Sequence, residues 1–462
     1  YFEWRLNEEN NREARVEEDG ESERSENVTK MEVWEAMQKM KKGKAVGPDD
    51  ILVEAWISLG NVAYIYEFLM WLFNDIMEKQ RMPEEWRKSE LVPIFKNKGD
   101  VQEYSNYRGI KLMSQTMKLY ERVIERRLRK EITICDEQFG FMPGRSTTDA
   151  IFALRTVAEG YREKQRDLHC VFIDLEKAYD RVPREEVWWC LRKKGASEKY
   201  VNLIQDMYEE SQTVVRTTVG PTDSFSVKVG LHQGSALSPF LFAIVMDQLT
   251  DNVRREGPWN MMFADDVVLI SETKAEAEEE LESWRHAFEV RGLRVSRAKT
   301  EYTQIGDPKP QAPILLEGVP LPETEEFRYL GSAVCGGGHC GREVKKRIQA
   351  GWNSWRKMTG LLCDKKVPDR VKGQLYKTAV RPSLLYGMET LPMTAKWETE
   401  LEVAEMRMLR WSLGYTRKDK MRNDDIRQFL GVAPISEKWR ESRLRWHGHV
   451  TRRDDMYIGK KP

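Results

Sequence analysis

The most restrictive feature of the sequence is a pair of adjacent aspartates between two apolar runs, Met261-Met262-Phe263-Ala264-Asp265-Asp266-Val267-Val268-Leu269-Ile270. Apolar runs that flank a polar dipeptide predict a tight β-hairpin with the two acids at its tip. A second apolar run, Cys170-Val171-Phe172-Ile173, ends in Asp174. Carboxylates from separate strands can hold two hard cations about 3.5–4 Å apart, as two-metal phosphoryl chemistry requires. The alternative for Asp265-Asp266 alone is an ordinary turn, because aspartate favours turns.

Size and charge distribution limit the architecture. The chain has 462 residues, more than one compact core usually supports, so several subdomains are expected. Lys+Arg and Asp+Glu both total 75, and the net charge of zero indicates no partner by itself. Residues 1–27 hold ten acids and four bases, whereas residues 341–382 hold twelve Lys/Arg and three acids. This asymmetry predicts an acidic, disordered or frayed N-terminal segment and a basic binding face, although a single basic run is often only a solvated helix face.

The six cysteines are scattered along the chain, which favours a reducing compartment over a disulfide framework. Cys335, His339 and Cys340 share a Gly-rich loop, but their spacing matches no recognised zinc pattern, and metal binding there is left open. No apolar run approaches the roughly 20 residues of a membrane span. No signal peptide is recognised, and the first residue is not Met, so the sequence is consistent with a fragment.

Helical and strand patterns divide the chain into two parts. A helix is predicted to begin at Thr29, where Thr-Lys-Met-Glu forms a capping box, and to end at Gly43. Pro239 predicts the start of an apolar helix that reaches about residue 254. Further helices are predicted at 61–79, 113–132, 274–291, 342–358, 368–386, 398–414 and 436–450, and strands at 91–95, 170–175, 214–219, 225–230, 260–264 and 267–271. Prolines between 306 and 322 mark the boundary between an α+β body and a helical, basic C-terminal region.

Three motifs follow one another in a fixed order: Phe172-Ile173-Asp174-Leu175-Glu176-Lys177-Ala178-Tyr179-Asp180, then Gly230-Leu231-His232-Gln233-Gly234-Ser235-Ala236-Leu237-Ser238-Pro239, then Asp265-Asp266. Flanking pieces agree with them, among them Gly47-Pro48-Asp49, Asn106-Tyr107-Arg108-Gly109-Ile110, Gln138-Phe139-Gly140-Phe141 and Arg443-Leu444-Arg445-Trp446-His447-Gly448-His449. Together, over residues from about 28 to 455, they resemble the reverse transcriptases of non-LTR (LINE-type) retrotransposons, most closely the RTE-like clade.

The resemblance implies an α+β, right-hand polymerase fold with an antiparallel palm sheet. We expect an acidic, disordered segment at 1–27, fingers at 28–170, a palm with a primer-grip hairpin at 171–335, and a helical, basic thumb and extension at 336–462. Asp50 departs from the family, which usually has glycine there. No segment like the upstream endonuclease domain of the family is recognised, so we do not expect this chain alone to nick DNA.

The resemblance also assigns roles to residues. Asp174, Asp265 and Asp266 would bind two Mg²⁺ ions, with Mn²⁺ as a substitute, and Lys299 would donate a proton to pyrophosphate. The incoming nucleotide would contact Lys96, Arg108, Tyr179, Gln233 and Gly234, with Tyr179 excluding a 2′-hydroxyl. Tyr329, Leu330 and Gly331 would form the primer grip. The alternatives are an exposed loop for Lys96, a surface lysine for Lys299 and an ordinary core aromatic for Tyr179.

In the C-terminal region, tryptophans alternate with basic residues, a combination that can stack bases and bind phosphates. Arg347, Lys357, Arg443 and Arg445 are the candidate nucleic-acid contacts. For Trp352, Trp355, Trp411, Trp439 and Trp446, the alternative at helical spacing is a place in the core.

The function implied is RNA-directed DNA polymerisation: extension of a DNA 3′ end on an RNA template with dNTPs. The expected partners are an RNA template, a DNA primer or target and dNTPs, with no membrane and with a nuclear and cytoplasmic location. Two alternatives come from other classes, a catalytically silent nucleic-acid-binding remnant and an unrelated metal phosphohydrolase. The second leaves the Gln-Gly-Ser-Ala-Leu-Ser-Pro run and the basic tail unexplained.

Overall fold

The computed structural model describes residues 1–15, 26–60, 62–306, 312–335, 341–455 and 457–460. In these ranges helices and strands mix up to about residue 335, and beyond it the described residues form helices without strands. No helix in the described ranges is both long and apolar enough to cross a membrane. The predicted α+β class with a helical C-terminal region is confirmed.

The α-helices, in chain order, are α1 (Phe2–Arg5), α2 (Lys30–Gln38), α3 (Val53–Leu59), α4 (Ala63–Lys79), α5 (Gln115–Glu131), α6 (Thr147–Glu163), α7 (Ala178–Arg181), α8 (Arg184–Lys193), α9 (Glu198–Tyr208), α10 (Ser238–Thr250), α11 (Lys274–Glu289), α12 (Gly341–Lys357), α13 (Thr359–Leu362), α14 (Asp369–Leu375), α15 (Arg381–Leu385), α16 (Ala395–Leu413), α17 (Asn423–Leu430) and α18 (Ile435–Thr451). The strands are β1 (Lys88–Phe95), β2 (Tyr107–Leu112), β3 (Leu168–Ile173), β4 (Gln212–Thr217), β5 (Gly220–Pro221), β6 (Phe225–Ser226), β7 (Asn260–Phe263), β8 (Asp266–Ser271), β9 (Glu301–Ile305), β10 (Leu315–Leu316), β11 (Val319–Pro320), β12 (Glu326–Tyr329) and β13 (Ser332–Cys335).

The sheet that carries the acidic motifs has the strand order β7-β8-β3-β9, and every neighbouring pair is antiparallel. All six residues of β3 are buried. Val171 and Ile173 point into the main core, whereas Cys170 and Phe172 point into a second apolar cluster on the opposite face. Because successive side chains of a strand alternate between faces, this central strand must be apolar throughout to be covered on both sides.

A second sheet has the order β2-β1-β4-β5, with β6 also paired to β4. Strand β1 is antiparallel to β2 but parallel to β4. The sheet therefore joins chain segments from before and after β3. The division into fingers, palm and thumb at residues 170 and 335 stays a prediction.

Local signals located several elements well. Thr29 accepts a hydrogen bond from the Glu32 amide and Glu32 accepts one from the Thr29 amide, which confirms the capping box. That helix ends at Gln38, five residues before Gly43, and α10 begins with Pro239 in its first turn but ends at Thr250. Asp50, the departure from the family, has a φ of +52°, the left-handed region that favours glycine and that aspartate tolerates better than most residues.

The N-terminal segment is not the disordered tail that its acidity predicted, as far as residues 1–15 are concerned. Arg5 and Leu6 are buried, and Leu6 packs with Leu91, Val215 and Val227 in a small apolar cluster. The acids and arginines of this region pair with opposite charges, such as Arg15 with Glu186 at 3.0 Å. Residues 16–25 lie outside the described residues.

The C-terminal helices pack around a separate core. Its centre holds a fully buried carboxylate, Glu405, which accepts hydrogen bonds from Tyr376 Oη at 2.8 Å, Arg381 Nη2 at 3.3 Å, Arg427 Nη2 at 3.2 Å and the Ile435 amide at 3.0 Å. A buried charge is tolerated only when it is paired and hydrogen-bonded. Glu405 therefore ties α15, α17 and α18 to α16.

Candidate active site

The two adjacent aspartates lie at a tight turn between β7 and β8, as predicted. Phe263 pairs with Asp266, so Ala264 and Asp265 form a two-residue loop. Ala264 has a φ of +58° while Asp265 is not among the residues with positive φ, the pattern of a type II′ turn. Such turns match the twist of paired strands, which fixes the direction in which both carboxylates leave the hairpin.

This turn is held from behind by a segment far away in sequence. The fully buried Gln138 amide oxygen accepts hydrogen bonds from the Ala264 amide at 3.1 Å and from the Gly140 amide at 2.8 Å. Gly140 lies so close that a Cβ at this position would be 2.3 Å from the Ala264 nitrogen. Gln138 and Gly140 stood in a recognised motif, but nothing in the local sequence indicated that they position the turn of Asp265 and Asp266.

Asp174 lies at the same end of the sheet, one residue after β3. The last residue of that strand, Ile173, pairs with Val267, next to Asp266. The backbone of Asp174 accepts a hydrogen bond from the Ser296 amide at 2.8 Å, and its side chain is bound by Lys299 Nζ at 3.0 Å. Lys299 therefore lies in the site, and its side chain is 66% exposed.

The three carboxylates affect one another electrostatically. Partial burial raises the pKa of Asp265, and the charge of Asp174 raises it further, while Arg108 and Lys299 oppose the increase. Partial burial together with the charges of Asp265 and Asp174 raises the pKa of Asp266 to about 6. Asp265 and Asp266 nevertheless reach solvent at the hairpin tip. The carboxylates form a site of concentrated negative charge, which suits a cation.

Oxygen donors of this kind fit Mg²⁺ or Mn²⁺. Their placement at one end of paired strands fits as well, but they do not form a closed cage. Within the described ranges, no three His, Cys, Asp or Glu side chains are close enough together to hold one ion. The side chain of Asp174 is bound to Lys299 instead. The side chains of Cys335, His339 and Cys340, a possible metal site in the sequence, lie outside the described residues.

Basic side chains predicted to hold the triphosphate line the neighbouring sheet. Lys96 follows β1 and Arg108 lies in β2, and both are exposed. Lys96 Nζ donates to the Ser105 carbonyl oxygen at 3.0 Å. Partial burial lowers the pKa of Lys96, and the nearby charges of Arg5, Arg108 and Lys299 lower it further. Arg108 and Lys299 also act on Asp265, so cationic side chains lie close to the acidic site.

The other residues predicted to contact the nucleotide lie in the short helix α7 and in the loop before α10. Tyr179 is half-buried, its ring centroid is 5.5 Å from that of Phe242, and burial raises its pKa. Gln233 is half-buried, and its carbonyl oxygen accepts from the Lys111 amide at 2.8 Å. Gly234 has a φ of +126°, and a Cβ there would be 2.3 Å from the Lys111 carbonyl oxygen, so this close approach requires glycine.

The predicted primer-grip segment is a hairpin, in which Leu330 and Gly331 form the turn between β12 and β13 with φ values of +47° and +81°. Tyr329 is buried, and its pKa is raised by burial and by the charge of Asp266, so the hairpin lies beside the acidic site. Arg347, predicted to bind nucleic acid, is instead buried. Its guanidinium donates to the Gly331 carbonyl oxygen at 2.7 Å and pairs with Glu343 at 3.0 Å. The structure thus gives Arg347 an internal contact that supports the turn.

The other basic candidates are at the surface. Lys357 and Arg445 are exposed and Arg443 is half-buried, and Arg445 pairs with Glu441 at 2.5 Å. The tryptophans divide between core and surface: Trp355 and Trp439 are buried, Trp352 and Trp446 are half-buried, and Trp411 is 54% exposed. The rings of Trp352 and Trp411 pack together with centroids 5.3 Å apart.

Comparison with known proteins gives one family match. The family described as "Reverse transcriptase (RNA-dependent DNA polymerase)" matches residues 95–334, more than half of the chain. A "Probable RNA-directed DNA polymerase from transposon BS" of Drosophila melanogaster is 26% identical over 82% of this chain and 44% of its own length. An "RNA-directed DNA polymerase from mobile element jockey" of Drosophila funebris is 25% identical over 91% of this chain and 47% of its own length. The apo telomerase structure from Candida tropicalis covers 84% of this chain and 71% of its own, at 12% identity and a TM-score of 0.40.

The chain therefore spans about half the length of the curated relatives it matches, 44% and 47% in these two cases. Both relatives come from mobile elements, in agreement with the resemblance drawn from the motifs.

Proposed function

This chain belongs to the reverse transcriptase (RNA-dependent DNA polymerase) family, and we propose on that premise that it extends a DNA 3′ end on an RNA template with dNTPs. One observation carries the proposal. Asp174, Asp265 and Asp266 lie at the same end of two paired strands, and cationic side chains flank them. Nucleotidyl transfer needs this combination, because acids hold metal ions and cations bind the triphosphate.

Asp174, Asp265 and Asp266 would hold divalent cations, Mg²⁺ or Mn²⁺. When bound, such ions lower the pKa of the primer 3′-hydroxyl and neutralise charge on the triphosphate. Lys299 would exchange its contact with Asp174 for the departing pyrophosphate, to which it can donate a proton. Its present bond to Asp174 keeps its ammonium beside the carboxylates, which supports this role.

The other side chains would bind and orient substrates. Lys96 and Arg108 would hold the triphosphate, because phosphate binding needs fixed cationic donors. Gln233 and Gly234 would line the nucleotide pocket, and Tyr179 would exclude a 2′-hydroxyl from below. The turn of Tyr329, Leu330 and Gly331 would support the primer end beside Asp266.

The surface cations of the C-terminal helices would bind the template and primer backbones, with Lys357, Arg443 and Arg445 as candidates. Reverse transcription at a chromosomal target would take place in the nucleus after synthesis in the cytoplasm. We further propose that the chain divides into fingers, palm and thumb at residues 170 and 335.

The test is primer extension on poly(rA)/oligo(dT), with and without Mg²⁺. We expect Asp265→Ala to abolish synthesis while the affinity for the template–primer, measured by fluorescence anisotropy, stays nearly unchanged. Asp251→Ala is the matched control, since Asp251 is exposed just after α10 and pairs with Arg254, which Asp247 also holds. Retained synthesis by Asp265→Ala would refute the metal assignment. A wild-type chain that binds template–primer but never extends it would instead favour the silent nucleic-acid-binding alternative.

A further inference from the structure

Residues 1–15, which we name the N-terminal strap, lie outside the matched family region of residues 95–334. The strap is fixed to the body at several points. Leu6 is buried against Leu91 of β1 and Val215 of β4, two strands of the second sheet. Asn7 Nδ2 donates to the Ser226 carbonyl oxygen at 2.9 Å, and Asn10 Nδ2 donates to the Gly292 carbonyl oxygen at 2.8 Å. These contacts fix the strap along the second sheet and the segment after α11.

Arg5 is a strap residue that contacts elements bordering the proposed nucleotide pocket. Only 6% of it is exposed. Its Nη1 donates to the Tyr1 hydroxyl at 3.0 Å and to the Tyr107 carbonyl oxygen at 3.3 Å, and its Nη2 lies 3.6 Å from Asp180 Oδ2. Tyr107 is the residue before Arg108, the proposed triphosphate contact. Arg5 therefore joins β2 to the helix α7 that follows Asp174.

The other oxygen of Asp180 binds Gln233: Oδ1 accepts a hydrogen bond from Gln233 Nε2. An ionised carboxylate accepts hydrogen bonds but donates none, so it fixes which end of the Gln233 amide faces it. The amide oxygen of Gln233 is consequently directed away from Asp180 and remains available to a ligand. The backbone of the Gln233 loop is fixed independently, because the Gln233 carbonyl oxygen accepts from the Lys111 amide at 2.8 Å.

Asp180 needs a cation to keep this role. Its side chain is 11% exposed, and burial favours the protonated carboxyl, which could donate to the amide oxygen and reverse the amide. The cations that face Asp180 are Arg5 from the strap, Lys177 from the turn before α7 and Lys111 from β2. Among the described residues, Arg5 is the cation in ion-pair contact with Asp180.

We propose that Arg5 is a positioning residue for nucleotide binding: through Asp180 it fixes the orientation of the Gln233 amide in the nucleotide pocket. The inference rests on the proposed function, since it takes Gln233 to line that pocket. It assigns to the N-terminal strap a part in dNTP binding.

The experiment measures dNTP affinity without chemistry, in a complex of the full chain with an RNA template and a dideoxy-terminated DNA primer. In parallel, KM for dNTP and kcat are measured by extension of an ordinary primer. We expect Arg5→Ala to raise both the dNTP dissociation constant and KM by about tenfold, the scale of a lost hydrogen bond to a charged group, with kcat nearly unchanged. Arg5→Lys should restore part of the loss because it retains a positive charge near Asp180.

Two further variants separate positioning from general packing. Arg12→Ala is the matched control in the same strap, because Arg12 pairs with Glu185, whose side chain is 69% exposed. It should leave dNTP affinity unchanged. Asp180→Asn should weaken dNTP binding as Arg5→Ala does. The double variant should bind dNTP no more weakly than the single variant with the lower dNTP affinity, as expected for two residues that act through one contact.

The outcomes are distinguishable. Unchanged dNTP affinity in Arg5→Ala, or an equal loss in Arg5→Ala and Arg12→Ala, would overturn the assignment of Arg5, and primer extension by the wild type would still support the proposed function. Arg5-dependent dNTP binding in a wild type that never extends a primer would keep the inference and reject the polymerase. A wild-type complex that binds no dNTP would overturn both.

Discussion

Replacing Gly140 by alanine should displace the catalytic turn without unfolding the chain. A Cβ at Gly140 would lie 2.3 Å from the Ala264 nitrogen and 2.9 Å from the Phe263 carbonyl carbon. Ordinary van der Waals contact begins at 3.4 Å, and both neighbours are backbone atoms that cannot rotate away. The turn or the Gly140 loop must therefore retreat by about 1 Å, and either movement disturbs the hydrogen bonds of Gln138.

The size of the effect follows from that displacement. Misplacing catalytic groups by about 1 Å costs on the order of 100-fold in rate, or roughly 2.7 kcal/mol in the barrier. Asp265 and Asp266 both leave the turn that would move, so the loss should fall on kcat. The template–primer affinity should change little, because the proposed phosphate contacts lie on other elements. Gly140 has no left-handed φ, so the added methyl group acts through contact and not through backbone strain.

Gly160→Ala is the matched control. Gly160 lies in α6, and a Cβ there would meet nothing within 4 Å. Alanine in a helix interior is favoured over glycine by up to about 1 kcal/mol, so this variant should be at least as stable as the wild type with an unchanged kcat. The assay is single-nucleotide extension at saturating Mg²⁺ and dNTP, with circular dichroism to verify folding. A folded Gly140→Ala variant that keeps kcat within about threefold of the wild type would refute the positional argument.

Three other predictions concern charge. Burial lowers the pKa of Lys111 to about 7, so the unfolded chain binds more protons between that value and the ordinary 10.5, and stability should rise with pH in this window. Lys111→Met should accordingly raise the free energy of unfolding by roughly 4 kcal/mol at pH 7 in urea denaturation, and the gain should vanish above about pH 10.5. Arg445→Ala should lower the salt slope of template–primer binding by about 1 in anisotropy titrations, whereas Arg347→Ala should reduce thermal stability and leave the slope unchanged. Glu405→Ala should cost about 3–5 kcal/mol in urea denaturation, because it leaves the buried Arg381 and the half-buried Arg427 uncompensated.

Secondary-structure elements whose conformation is determined by a few neighbouring residues could be predicted from the sequence. The capping box at Thr29, the proline at the start of α10 and the apolar runs around Asp265-Asp266 each determine a local conformation. The helix α6 and the strand β9 were missed, although Ser146 and Asp149 form a capping box at the start of α6. The parallel pairing of β1 with β4 depends on contacts between distant segments, which local sequence patterns do not predict.

The candidate site divides in the same way. Asp174, Asp265 and Asp266 could be named because each stands at the end of an apolar run in a recognised motif. The prediction that Arg347 lies on a binding surface was wrong, because Arg347 is buried. Helical periodicity did not reveal which basic side chain of α12 turns inward. Arg5 was missed for a different reason: an acidic composition predicted disorder, while the acids and arginines of the strap are neutralised pairwise by residues far along the chain.

The hairpin of β12 and β13 connects the acidic site to the C-terminal helices. At its turn, the Gly331 carbonyl oxygen accepts from Arg347 of α12, and the Leu330 carbonyl oxygen accepts from the Tyr386 hydroxyl at 2.8 Å. On its other side, Ser332 accepts from Arg155 of α6 at 2.8 Å, and Tyr329 lies beside Asp266. The turn is thus held by the helical region and by the body at once, so a movement of α12 cannot leave the hairpin in place without breaking buried hydrogen bonds. Binding of a duplex against the C-terminal helices would for this reason be transmitted to the position of Tyr329 relative to the carboxylates.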